Sequence, residues 1–444
     1  MLKTVRDAFK VKDIRDRVLF TFLMLIVVRL GCQLPLPNTT AETIQSVTDK
    51  YSNGAFGFFN AMTGGSFESM SIFALNITPY ITSSIIMQLL TIAIPKLEEM
   101  QRDGEDGRKK ITSITRYVTI ILALLQATVT SISFGNQNLF GVRATMSTKE
   151  FTGYVVVATA SMVAGSAFLM WVGESITEKG VGNGISIILL INIVATMPND
   201  FANLFAKYVA PEEKSIGARG LAAILIVAIV IAVIALVVLL QDAERKIPVQ
   251  YSKKVQGRKL VGGASSHIPL KVNTAGVIPI IFAQSLLMFP VVICQIAKGT
   301  SPEWTKYLTS SNWWDFSSTG IKYSIGYIVY VIMVIGFAYF YTSITFNPME
   351  VADNMKRQGG FIPGIRPGKP TEEYLTNILN YIIFIGAIGL LIVATLPIAF
   401  SGIAGASVSF GGTSLIIVVG VVLETLTGIE AKMVVRNYKG FLSK

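Results

Sequence analysis

A single histidine and two cysteines in 444 residues leave little from which to build a metal site or a disulfide framework. Cys32 and Cys294 both fall in apolar stretches, where they are expected as free, buried thiols. Charge is scarce as well: 15% of residues are Asp, Glu, Lys or Arg against 52% apolar, which excludes an ordinary soluble globular chain. There is no glycine loop with a phosphate-binding lysine, no zinc motif and no nucleophile elbow. Within the apolar stretches the one clear ionisable group is Arg29, so neither an ion relay nor acid–base machinery is evident. Arg29 is expected to snorkel outward or to meet a helix end, and Glu174 and Glu424 read as interfacial.

Long apolar runs are what the chain has in quantity. Ten can be read: Val18 to Leu34, Ile72 to Ile94, Tyr117 to Phe134, Tyr154 to Val172, Val181 to Met197, Leu221 to Leu240, Ala275 to Ala297, Ile325 to Phe346, Leu375 to Phe400 and Val408 to Thr427. Most approach the roughly 20 residues that cross a hydrocarbon core of about 30 Å. With the connections assigned to alternate sides, one side carries 28 Lys/Arg against 18 Asp/Glu and the other 9 against 9. Basic residues accumulate on the cytosolic side, so both termini are expected there. The net charge of +11 is thereby explained by topology, ahead of nucleic-acid binding. The charged segment through Arg17 and the long first run do not read as a cleavable signal peptide.

The runs divide five and five, giving halves 1–205 and 206–444. Five is odd, so the second half crosses in the opposite sense to the first, which makes an inverted repeat. Pro79 and Pro279 lie near the start of the second run of each half and read as paired helix interruptions, pointing to a site between the halves.

The external segment 54–73, GAFGFFNAMTGGSFESMSIF, is too apolar for a surface loop and is broken by Gly64 and Gly65. Backbone that is not helical at membrane depth must be buried or line a cavity. A short re-entrant helix filling a cavity is expected, the alternative being an amphipathic helix on the outer surface. The cytosolic loops 241–271 and 346–372, and the segment from Glu105 to Tyr117, are long and basic. Retention signals explain their charge but not their length, which suits docking of an acidic or RNA-bearing partner. His267 is expected as a solvated loop residue.

Five strings in order, ALNITPYITSSIIMQLL from Ala74, GVGNGISIILL from Gly180, PLKVNTAGVIPIIFAQSLLMFP from Pro269, NPMEVADNMKRQGGFIPGIRPG from Asn347 and FGGTSLIIVVGVVLETL from Phe410, resemble the SecY family of protein-translocation channels over essentially the whole chain. The resemblance implies an all-α polytopic membrane protein, ten helices in two inverted halves around an hourglass pore. It implies a channel that passes unfolded secretory polypeptides and releases apolar helices sideways, without cofactor or enzyme activity. The pore ring carried over by motif is Ile77, Ile81, Ile185, Leu189, Ile281 and Ile417. Two of these pairs are i, i+4, so each pair shares a helix face, and at about 1.5 Å per residue the six lie about 6 to 14 Å below the entry surface.

The segment 54–73 corresponds to the family's plug, with Phe58, Phe59, Gly64, Gly65, Phe67 and Met70. Gln88, Asn273 and Phe289 correspond to a lateral gate. Implied partners are SecE and SecG, the motor ATPase SecA, the ribosome, signal peptides with their unfolded preproteins, and membrane lipid. The docking candidates are Lys253, Lys254, Arg258, Lys259, Arg357 and Arg366, and the implied location is the bacterial cytoplasmic membrane. Two further readings remain open on the sequence: an ion-coupled secondary transporter with inverted repeats, and a membrane-embedded enzyme.

Overall fold

The computed structural model describes residues 11–40, 42–44, 60, 63–136, 138–141, 146–208, 216–251, 254–256, 259–261, 265–298, 302–309, 313, 321–404 and 412–442. The chain packs as two compact units: Met1–Asn203 with Val292–Ser301 and Val421–Lys444, and Leu204–Val291 with Pro302–Gly420.

The first unit holds α1 (Lys12–Cys32), α2 (Thr78–Ala93), α3 (Pro95–Arg102), α4 (Glu105–Gly135), α5 (Thr148–Lys179) and nearly all of α6 (Gly184–Tyr208). Pro95 cannot donate into the end of α2, and the chain turns there by 107° into α3. Helix α5 opens on a capping box in which the Ser147 amide donates to Glu150 at 3.1 Å. Its small residues let α4 approach closely. Ala123, Ala127, Ala158 and Met162 are buried in one cluster, and Thr159 donates to Ser131 at 3.3 Å. Near the other end of this pair Arg116 meets Glu174 at 2.8 Å. Helix α6 runs straight through Pro198, where the sequence reading ended a span.

The second unit contains α7 (Ile216–Asp242), β1 (Glu244–Tyr251), β2 (Lys254–Gln256), β3 (Lys259–Val261), β4 (Ser265–Lys271), the larger part of α8 (Ile278–Lys298), α9 (Ile325–Thr345), α10 (Pro348–Gln358), β5 (Gly360–Phe361) and α11 (Lys369–Ala404). Helix α12 (Gly412–Leu442) begins here and ends in the first unit, where Ile429 packs with Ile14 and Val181. The long connection 241–271 is built and not a loose loop. Strand β1 pairs antiparallel with β4, from Glu244 opposite Lys271 to Gln250 opposite Ser265, and its far end pairs with β5. Alternation drives this: Ile247 and Val249 turn inward while their neighbours are exposed. They bury against Leu270, Met355, Ile362, Leu375 and Leu379, so one core joins the connections 241–271 and 346–372. His267 sits on β4 opposite Pro248 and is solvated as expected, but on a strand.

Every apolar run read from the sequence overlaps a helix. Among the described residues, four helical stretches are long and apolar enough to cross a membrane: Glu105–Gly135, Thr148–Lys179, Lys322–Gln358 and Lys369–Leu396. The bent pair α2 and α3 makes a fifth if counted as one span. Large apolar side chains stay exposed along them and along α1, among them Phe22, Leu30, Ile121, Leu125, Ile332 and Ile385. Faces of that kind are covered by lipid in a membrane protein, since hydrocarbon tails are as apolar as leucine. Both cysteines are free; Cys32 is buried as expected, while Cys294 is only half-buried.

Candidate functional site

Three apolar runs start before their helices do. Helices α2, α6 and α8 begin at Thr78, Gly184 and Ile278, a few residues into their runs, and α12 is described from Gly412. Hydropathy records burial, whereas helix starts are set by backbone geometry. Before α2 and α8 the chain turns, at 72–77 and 272–277, and the next-to-last residue of each turn is left-handed, Asn76 at φ 50° or Gly276 at φ 63°. Three positions after each comes the proline. Pro79 and Pro279 therefore sit in the first helical turn, where a missing amide hydrogen is tolerated, and start their helices instead of interrupting them. The correction strengthens the internal echo, because turn, left-handed residue and proline recur together.

All six expected ring residues lie at these helix starts. Ile77 caps α2 and Ile81 is its fourth residue; Ile185 and Leu189 are second and sixth in α6, Ile281 is fourth in α8, and Ile417 is sixth in α12. Ile77, Leu189 and Ile417 are buried, and Ile81, Ile185 and Ile281 are half-buried. The Ile81 amide donates to the Ile77 carbonyl at 3.0 Å, so that pair does occupy successive turns. Ile185 also packs on α5, its Cγ1 lying beside Gly173.

The segment before α2 is tied down at several points. Residues 54–59 and 61–62, including Phe58 and Phe59, lie outside the described residues. Of the described residues, Asn60 and Thr63 are helical, and 64–70 turn repeatedly through Gly64 at φ 68°, Gly65 at φ 83° and Met70 at φ 44°. The Asn76 amide donates to the Thr63 carbonyl at 3.2 Å, and Ser166 of α5 donates to the Asn76 carbonyl at 3.0 Å. Leu36 donates to Met70 and Ile72 to Leu34, both at 2.9 Å, strapping the segment to the chain after α1. Phe67 meets Phe134 edge to face at 5.7 Å, and Met70 is buried.

Arg29 turns to the backbone just past the helical residue Thr63. Its Nη1 donates to the Gly64 carbonyl at 3.1 Å. Across that glycine stands Asn192 of α6, fully buried, with neither amide atom partnered among the described residues. Arg29 is marked in the sequence as the lone charge in a span, whereas Asn192 carries no such mark, being one of several polar residues in its apolar run.

The gate candidates differ in setting. Gln88 is exposed on α2, Asn273 is buried with its amide unpartnered in the turn before α8, and the Phe289 side chain lies outside the described residues. Among the docking candidates, Lys253 and Arg258 lie outside the described residues, and Lys254 and Lys259 belong to the β2–β3 hairpin. Arg357 is exposed in the last turn of α10, which Asn347 caps at one end and the left-handed Gly359 at the other. Arg366 is exposed on a turn held by the Thr371 hydroxyl donating to its carbonyl at 2.8 Å.

Comparison with known proteins gives one answer. The family model described as SecY matches residues 71–426. The chain is 43% identical over 445 residues to the protein translocase subunit SecY of Halalkalibacterium halodurans and 42% identical over 447 residues to that of Bacillus subtilis, covering all of each. It is 40% identical to that of Thermotoga maritima, covering 98% of it. Among solved structures, one described as a protein conducting channel superposes with a TM-score of 0.63 at 18% identity, over 95% of this chain and 93% of that one. Sec61 in a canine ribosome–channel complex superposes at 0.60 and 15% identity, with the same coverage. These structural likenesses concern the fold.

Proposed function

The chain belongs to the SecY family, and on that premise we propose that it is a protein-conducting channel that passes unfolded secretory polypeptides across the cytoplasmic membrane. The observation that carries this is full-length identity above 40% to protein translocase subunits. It is a channel and not an enzyme, and the transporter reading finds no support.

In this proposal Ile77, Ile81, Ile185, Leu189, Ile281 and Ile417 form the waist of a ten-helix, two-half pore. A passing chain carries every type of side chain, so hydrogen-bonding groups in the waist would trap some substrates and repel others. Branched hydrocarbon offers none and dewets when the waist is empty. The segment 54–73 is the plug above it. Spans two and seven part sideways at Gln88, Asn273 and Phe289, letting an apolar segment enter lipid, where each Leu, Ile, Phe or Val gains roughly 0.3 to 0.6 kcal/mol.

No energy source resides in this chain's motifs, so drive comes from partners. The basic cytosolic face, Lys253, Lys254, Arg258, Lys259, Arg357 and Arg366, receives SecA or the ribosome, with SecE and SecG as small membrane subunits. The charge bias between alternate connections supports cytosolic termini. Reconstitution with SecE, SecA and a signal-bearing precursor tests the function: protease-protected precursor that depends on ATP is expected, and none would refute it.

A further inference from the structure

Helix α1 touches the turn segment with three successive contacts. Arg29 donates to the Gly64 carbonyl at 3.1 Å, the Cys32 thiol sits against Ser66, and Gly31 lies under the ring of Phe73. A guanidinium in an apolar span requires an acceptor, and Arg29 donates to a backbone carbonyl supplied by the segment itself. From the other side Asn192 closes on the same residue. A Cβ placed on Gly64 would stand 2.7 Å from Arg29 Nη1 and 2.9 Å from the Asn192 backbone, and φ of 68° already favours glycine. Gly64 is thus held between two jaws, one charged and one carrying a buried amide that no described group satisfies.

We infer that Arg29 and Asn192 are plug-positioning residues, a polar clamp on the Gly64 turn that sets how readily the plug leaves the closed channel. The inference rests on the channel reading and deepens it. Displacing the segment strips Arg29 of its carbonyl and uncovers Cys32, which is now 1% exposed. A hydrogen bond to a charged group shifts an equilibrium by roughly tenfold to a hundredfold. The clamp therefore makes opening conditional on something that outcompetes it, as the arrival of a signal segment would.

Cys32 itself reports the outcome. In the full complex in proteoliposomes, with Cys294→Ser leaving one thiol in this chain, the alkylation rate of Cys32 by a small maleimide is measured without substrate. Arg29→Gln is expected to raise that rate roughly tenfold to a hundredfold, and Arg29→Lys, which keeps a cationic donor, to stay within a few-fold of the parent. Gly64→Ala, which forces the turn off both jaws, is expected to match Arg29→Gln and serves should that variant not assemble. Export of a precursor with a defective signal is expected to rise in step. A Cys32 rate unchanged in both Arg29→Gln and Gly64→Ala overturns the clamp, whatever the transport result. Absence of transport by the parent complex would instead strike the channel reading and leave the labelling to decide the clamp.

Discussion

The side-chain amide of Asn76 donates to the carbonyl of Thr63 at 3.2 Å, joining the residue before the Ile77 cap of α2 to the turn segment thirteen positions earlier. Its Oδ1 accepts the Ile77 amide at 2.8 Å, and its own φ is 50°, a conformation asparagine tolerates better than most residues. One residue therefore fixes both the start of α2 and the seat of the segment above Ile77. Asn76→Ala removes the bonds and strains the backbone, and a loss of about 2 to 3 kcal/mol is expected from a stranded buried carbonyl plus left-handed strain. Asn76→Gly restores the backbone but not the bonds and is expected to fall between, by thermal unfolding in detergent.

The exposed guanidinium of Arg366 stands on a turn whose internal bond uses its backbone carbonyl and not its side chain. Arg366→Glu is expected to leave the melting temperature within a degree or two, since such surface changes stay within about 0.5 kcal/mol. SecA-driven translocation is expected to fall by an order of magnitude or more, because a reversed charge at a docking surface slows association and weakens binding. ATP-dependent transport at the parental rate would remove this residue from the docking surface.

Ile81 and Ile417 sit within the first six residues of their helices, one half-buried and the other buried. In the proposed waist, an amide at either place would put a wetting group into a seal that depends on having none. Ile81→Asn and Ile417→Asn are expected to pass precursors with defective signals several-fold better than the parent while exporting normal precursors at comparable rates. Undiminished stringency in both would argue against a seal made by these side chains.

Ile247 is 2% exposed in the core that joins the connections 241–271 and 346–372. Ile247→Asp buries a carboxylate there and is expected to destabilise the sheet by about 3 kcal/mol or more, the combined scale of lost packing and a buried unpaired charge. Limited proteolysis should then cut near residues 252–264 in the variant well before the parent.

Much of this was legible in the sequence, and the failures have physical causes. Apolar runs mark burial in lipid or protein, and every one of the ten overlaps a helix. They do not mark where the backbone becomes helical, so the turn residues 72–77 and 275–277 were read as span, and Pro79 and Pro279 as breaks in place of starts. The sheet of β1, β4 and β5 was missed although Ile247 and Val249 alternate with exposed neighbours; Pro248 between them and the surrounding charge disguised a two-residue period. Arg29 drew notice by its rarity, but its partner is a carbonyl 35 positions away, and carbonyls leave no mark in a sequence. Asn192 is visible as a letter and silent about its purpose until Gly64 is seen against it.

The waist is tested most directly by arresting a secretory precursor halfway, with a folded domain at its trailing end, in complexes carrying single cysteines at Ile77, Ile81, Ile185, Leu189, Ile281 and Ile417. Each is expected to form a disulfide with a cysteine in the arrested stretch, while cysteines at the outward-facing Leu23 and Ile121, 56% and 60% exposed, do not. Bonds at the outward-facing positions with none at the six would contradict an aliphatic waist through which the polypeptide passes.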